Sequence, residues 1–432
     1  MTELGELSLW LALLMSAWSM MLSAAGIALA RDDFFLSGSR GLRIAASFTL
    51  LSAVSLLWAL YSGDLSLRLV AMYTGDGLAT PFRLSALWAS IDGWLLLWNV
   101  AFAASAVVAV RARAADGGGP PPLAGAICAA VLTVTLAISA LAVNPFVRVY
   151  AIPPDGRGLD PQLQDWARVL DAPLFAIGCS AVAIWTVLWL ASLARVEGRV
   201  RREAAAGAWP VIAIGGLAAG TAARVSWGYS HRGVLPSPAA PFDSASGSAF
   251  AVLLILAVLL VALSGARWSP VTRVLSGAGA LLLLIGLVAE ARGGQFTATL
   301  RDGETYQATD SWGVAWSFTS QGASRIERPG YLLTSVAFLP KRAAVRQPFI
   351  AGEVREYAAD TARPSPPDLR AGIQRSFAQD VSIAVAAVGA GKATVRIRFA
   401  PLVSLVWIGG ALFVAGTLVA AYSRTARRTV PS

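Results

Sequence analysis

The chain has 432 residues, 56% hydrophobic and 14% charged, with a mean hydropathy of +0.62. A soluble domain averages about 25% charged residues, so this composition excludes an ordinary water-soluble fold and points to lipid. The net charge of +10 does not call for nucleic acid, because the arginines mostly flank apolar runs, where topology and anionic lipid account for them.

Runs of about 17 to 25 mainly apolar residues mark membrane spans. Nine are expected, at 6–29, 44–62, 86–110, 122–143, 172–194, 209–228, 248–264, 272–290 and 401–422. The first is too long, and too free of charge at its start, for a cleaved signal peptide, and is expected to persist as a helix. Arginines crowd the loops of one side, as at Arg31, Arg40 and Arg43, at Arg195, Arg199, Arg201 and Arg202, and in the tail at Arg424, Arg427 and Arg428. The opposite short loops carry fewer, among them Arg68, Arg83 and Arg148. The positive-inside rule therefore places the C-terminus in the cytoplasm and the N-terminus outside. Cys128 and Cys179 lie inside spans with no CxxC pair, which leaves no disulfide framework and no redox motif.

Span three opens ALWASIDGWLLLW and carries Trp88, Asp92, Trp94 and Trp98. A carboxylate at the end of a span is usually paired or functional, and Arg83 is the expected partner of Asp92. Between spans four and five stands NPFVRVYAIPPDGRGLDPQLQD, residues 144–165. Loops this long tend to be functional, and Pro145, Pro153, Pro154 and Pro161 fix its path. Its polar groups, Asn144, Arg157, Asp160, Gln164 and Asp165, are expected to satisfy one another through charge-assisted hydrogen bonds. External loops are expected at 144–171 and 229–247. The second holds His231, the single histidine of the chain. Imidazole is a metal and heme-iron ligand, but a lone histidine in a polar loop is more often solvated.

Residues 1–290 are thus expected to form the transmembrane helical domain. At Gly293 and Gly294 the texture changes, and 291–400 read as a β-rich module. In TVRIRF, Val395, Ile397 and Phe399 alternate with Arg396 and Arg398, and VSIAVAAV before it, across GAGK, is the expected hairpin partner. A further strand is expected at 312–318. Residues 401–432 supply the last helix and a basic tail. The fold class expected is an all-α polytopic membrane bundle of about nine transmembrane helices, with a small β-rich extracytoplasmic domain before the last one. No P-loop, dinucleotide fingerprint, zinc motif or nucleophile elbow stands in the sequence. Asp92 and Arg224 lie near span ends, whereas a transporter would place charges at mid-membrane.

The 144–165 loop resembles that of the CcmF/NrfE heme lyases of cytochrome c maturation. Asn144, Pro145, Phe146, Arg148, Pro153, Asp155, Gly156, Arg157, Leu159, Pro161, Leu163, Gln164 and Asp165 stand at matching places, and Pro173 matches the end of a His-Pro-Pro. The opening helix, span three and the final helix are also similar to the family's. The resemblance implies a bacterial inner-membrane protein that takes part in heme delivery or attachment to apocytochrome c. It implies heme b as the cofactor, and a heteromeric complex with maturation proteins or a catalytic paralogue as the setting. By resemblance the heme-handling candidates are Trp88, Asp92, Trp94, Trp98, Trp227, Tyr229 and Asp243, with His231 as the metal candidate. The chain departs from the family where imidazoles are expected, since Ile91 and Asp171 replace them, and the tryptophan-rich external segment has become Pro, Ser and Ala. A degenerate scaffold role follows from these departures; the alternative is a non-catalytic structural subunit of a larger membrane heme-protein complex.

Overall fold

The computed structural model describes residues 1–115, 122–160, 163–193, 208–233, 270–290, 292–328, 331–357, 367–389 and 391–426. Among them, six helices are long and apolar enough to cross a membrane: Thr2–Leu29, Asp32–Ser62, Ile91–Arg111, Leu123–Leu141, Trp166–Ala191 and Trp209–His231. Two shorter apolar helices, Val274–Glu290 and Val403–Gly416, fall at the expected eighth and ninth spans. The span expected at 248–264 lies outside the described residues. The second span is longer than its apolar run, because its helix begins at Asp32, where Asp32 and Asp33 favour the positive end of the helix dipole.

The described residues fall into two compact units, between which the chain passes after Gly220 and again after Thr417. In the first, α1 (Thr2–Leu29) and α2 (Asp32–Ser62) pack through small residues. Gly5, Ser8, Ala12, Ser16, Ser19 and Ser23 of α1 and Gly38, Gly41, Ala45, Thr49 and Ser52 of α2 are all buried, and Gly38 and Gly41 lie directly against Ser19 and Ser23. Small side chains let two backbones approach where lipid supplies no hydrophobic drive between helices. The Ser19 hydroxyl donates to the Gly38 carbonyl at 2.7 Å, so the contact is also polar. Two short helices follow, α3 (Arg68–Tyr73) and α4 (Thr80–Ser85). A 3₁₀ turn at Ala86–Trp88 leads into α5 (Ile91–Ala115), and Gly93 permits the junction, since a Cβ there would lie 1.7 Å from the Leu87 carbonyl oxygen. Then come α6 (Pro122–Leu141) and α7 (Trp166–Leu193), with Pro173 inside the latter. The helix α8 (Trp209–Arg232) crosses from the first unit to the second. Gly178 of α7 meets it closely, a Cβ there falling 2.5 Å from the Leu217 nitrogen.

The second unit adds α9 (Pro270–Glu290), ten strands and the part of α10 (Val403–Ala426) up to Thr417. The chain is therefore not all-α. One antiparallel sheet runs in the order β1 (Gln295–Arg301), β10 (Lys392–Pro401), β9 (Gln379–Gly389), β8 (Gly372–Gln374). The other runs β2 (Thr305–Thr309), β3 (Ala315–Arg328), β4 (Tyr331–Arg342), β6 (Ile350–Tyr357), β7 (Asp368–Arg370), with β5 (Val345–Arg346) beside β4. Phe318, Val336 and Phe338 from the second sheet and Ile383, Val395, Ile397 and Phe399 from the first close one dry core. The β9–β10 hairpin is the one the alternation suggests: Val395, Ile397 and Phe399 are buried and Arg396 is exposed. The expected strand at 312–318 is displaced, because the turn Asp310–Val314 occupies its first half and β3 starts at Ala315.

Candidate functional site

The 144–165 loop is pinned to the chain between α2 and α4, all within the first unit. It starts with an Asx turn, in which the Asn144 side-chain oxygen accepts from the Phe146 backbone N–H at 2.8 Å. Phe146 then buries its ring where Gly5 leaves room on α1; a Cβ at Gly5 would be 2.4 Å from that ring. Further on the backbones pair directly. Arg68 N–H donates to the Val147 carbonyl at 2.8 Å, Val149 N–H to Ser66 at 2.9 Å, Arg157 N–H to Ala71 at 2.8 Å, and Gly158 N–H to Thr74 at 2.9 Å. The Asp155 carboxylate accepts from Asp76 N–H at 3.0 Å. The Gln164 amide donates to the Leu159 carbonyl, and Asp165 accepts from Ala167 N–H at the start of α7. The side chains of Arg157 and Asp160 are exposed. Backbone pairing thus holds the loop, together with the side chains of Asn144, Asp155, Gln164 and Asp165.

The span-three residues sit beside this loop in the same unit. Asp92 pairs with Arg68 at 3.0 Å and not with Arg83, which donates instead to the Tyr61 carbonyl at 3.3 Å. The reason is local: α3 begins at Arg68 and aims that residue at the start of α5, whereas Arg83 is turned back to cap α2. The Trp88 indole donates to the Arg168 carbonyl at 3.1 Å. Trp98 stacks on Phe102 with ring centres 5.1 Å apart, and Trp94 is half-buried. At the two positions where the resemblance asks for imidazole, Ile91 is 69% exposed and Asp171 is 1% exposed in an ion pair with Arg168. Neither presents a free imidazole-like lone pair.

Trp227, Tyr229 and His231 occupy the last turns of α8, in the second unit. Asp243 lies outside the described residues. Tyr229 is buried; its hydroxyl donates to Asp380 at 2.8 Å, and its ring meets Trp407 edge-on at 5.9 Å. The Asp380 carboxylate also accepts from Ser376 N–H at 2.9 Å. The loop expected around His231 is helix up to Arg232, and His231 is buried at 6% exposure, not solvated. Its Nδ1 is 2.9 Å from the Trp227 carbonyl. A carbonyl only accepts, so Nδ1 carries a proton. Nε2 faces Asp368 at 3.9 Å, while Asp368 pairs with Arg370 at 3.1 Å.

These residues do not form a bis-histidine heme site. Such a site needs two imidazoles, the chain has one, and its Nε2 is enclosed 3.9 Å from the Asp368 carboxylate. Among the described residues no group of three or more His, Cys, Asp or Glu side chains could hold a metal ion. Sequence reasoning also missed Asp380 and Arg375, which lie beside Tyr229 in a cavity of about 400 Å³. Asp380 is 151 residues from Tyr229 in the chain, and no local pattern marks such a pair.

No family model matches the chain. It is 26% identical to the cytochrome c-type biogenesis protein NrfE of Haemophilus influenzae over 43% of this chain and 30% of that protein. It is 29% identical to a probable NrfE of Escherichia coli over 44% and 35%, and 27% identical to CcmF of Pseudomonas fluorescens over 54% and 35%. The matched region therefore spans 30–35% of the length of these curated relatives. A solved structure, described as cytochrome c heme lyase CcmF, aligns with a TM-score of 0.68 over 96% of this chain and 97% of that chain, at 17% identity. At that identity the likeness carries the fold. The chain is related to the CcmF/NrfE proteins, as the 144–165 loop suggested.

Proposed function

We propose that the protein is a CcmF-like membrane component of cytochrome c maturation. It acts as a scaffold in heme delivery or attachment to apocytochrome c, in complex with a partner that supplies the iron ligands. The observation that carries this reading is the contrast between a kept frame and replaced ligand positions. The fold aligns along nearly the whole chain, while Ile91 is an exposed hydrocarbon and Asp171 is committed to Arg168. Positioning is what covalent attachment of a cofactor chiefly asks of its protein, and a frame without ligands still positions.

The test is an absorption spectrum of the protein purified alone and together with its membrane neighbours. The isolated chain is expected to be colourless, and the co-purified assembly to show a Soret band lost on removal of the partner. Stoichiometric heme on the isolated chain that disappears in His231→Ala would overturn the reading.

The setting proposed is the bacterial inner membrane, with the N-terminus outside and the C-terminus in the cytoplasm. Reporter fusions after Arg113 and after Arg202 are expected to give a cytoplasmic signal, and one near residue 350 an outside signal. An outside signal after Arg202 would reject this orientation.

A further inference from the structure

The cavity beside Tyr229 has a composition that the scaffold role leaves unexplained. Its volume of about 400 Å³ is in the range of small-molecule sites, and all its walls belong to the second unit. Tyr229 and Asp380 form one wall, fixed by their mutual hydrogen bond and by Ser376 N–H. The Trp407 indole and the Phe377 ring, the latter 67% exposed, form an aromatic side. Two polar groups here make no hydrogen bond. Among the described residues, the Arg375 guanidinium and the Ser226 hydroxyl have no hydrogen-bond partner, and both line this cavity.

The height of the cavity along the helices narrows the ligand. Ser226 and Tyr229 lie on the last turns of α8, whose apolar span ends at His231. Trp407 lies at the start of α10, whose apolar stretch begins at Val403. The cavity thus opens where two apolar helices leave the hydrocarbon layer. Arginine and tryptophan at that level are the groups that meet lipid headgroups. A guanidinium recognises phosphate oxygens in a fork geometry, a hydroxyl can add one donor, and the aromatic side suits the glycerol and upper acyl chain.

We infer that this cavity is a phospholipid site, with the headgroup phosphodiester on Arg375 and Ser226 and the acyl chains running along α8 and α10. A phosphodiester carries one negative charge. Inorganic phosphate is partly dianionic at neutral pH and would be repelled more strongly by the Asp380 carboxylate that forms the neighbouring wall.

The inference is tested on the full chain. The protein is reconstituted in nanodiscs containing phosphatidylglycerol, and the lipid retained after transfer to detergent is counted by native mass spectrometry. Wild type is expected to keep one lipid. Arg375→Ala is expected to weaken retention about tenfold, the loss of roughly one charge-assisted contact, with an unchanged circular dichroism spectrum. Arg375→Lys is expected to recover part of it. Equal retention by wild type and Arg375→Ala would overturn the inference. So would equal retention of diacylglycerol, which has no phosphate, or displacement of the lipid by inorganic phosphate.

Discussion

Asp310→Ala is expected to destabilise the β-sheet unit by about 3–5 kcal/mol, because several donors lose a charged acceptor at once and each such bond contributes about 1.5–3 kcal/mol before partial compensation by water. Asp310 is 6% exposed and closes the turn between β2 and β3. One carboxylate oxygen accepts from the N–H groups of Trp312 and Val314, each at 2.9 Å. The other accepts from the Trp316 indole at 2.9 Å and from the Gln379 amide at 3.4 Å. Gln379 begins β9, so this one side chain ties the two sheets together. Trp316 is itself buried and stacks on Phe318. Without an acceptor its indole N–H bears a desolvation cost of about 1–3 kcal/mol, and the turn amides lose charge-assisted partners. Asp310→Asn is expected to recover less than half of the loss, because its amide NH₂ would face donors on one side. The measurement is thermal unfolding of the full protein in detergent, followed by tryptophan fluorescence and by protease resistance of residues 292–401. A melting profile and cleavage pattern unchanged in Asp310→Ala would show that the turn holds without its carboxylate.

The sequence made some of this legible, and the divide follows range along the chain. Apolar runs revealed the helices, since length and hydropathy are local properties. The Val395–Phe399 alternation revealed a strand buried on one face, and the proline-shaped words of the 144–165 loop revealed its kinship. Partners across distance were not legible. Asp92 has two nearby arginines, and only the direction in which α3 projects Arg68 selects between them. His231 looked solvated because the residues after it are polar, yet α8 continues through Arg232 and the β7 edge covers the ring. The backbone pairing of the loop with 66–76 is likewise a contact across distance that its composition did not show. The candidates carried over by resemblance separate accordingly, with Trp88, Asp92, Trp94 and Trp98 in the first unit and Trp227 and Tyr229 in the second.

Gly156→Ala is expected to detach the 144–165 loop, whereas Arg157→Ala, one residue on, is expected to leave it in place. At Gly156 a Cβ would stand 2.0 Å from the Thr74 carbonyl oxygen and 2.8 Å from its carbon. Both obstacles are backbone, so no rotamer change relieves them, and the two chains must separate. Separation weakens the neighbouring bonds from Arg157 N–H to Ala71, from Gly158 N–H to Thr74 and from Asp76 N–H to Asp155. Each of these is worth about 0.5–1.5 kcal/mol net, and those to a charged acceptor more. With overpacking of about 1–3 kcal/mol added, a loss near 3–4 kcal/mol is expected. Arg157→Ala removes an exposed side chain and keeps the backbone bond, so it is expected to change stability by under about 1 kcal/mol. The two variants also separate a frame from a working surface. If the loop is a scaffold, Gly156→Ala lowers the yield of assembled complex and cytochrome c maturation falls with it, while Arg157→Ala leaves both near wild type. Should Arg157→Ala assemble normally and yet abolish maturation, the guanidinium would be acting on heme or apocytochrome directly, and the scaffold reading of the loop would fail.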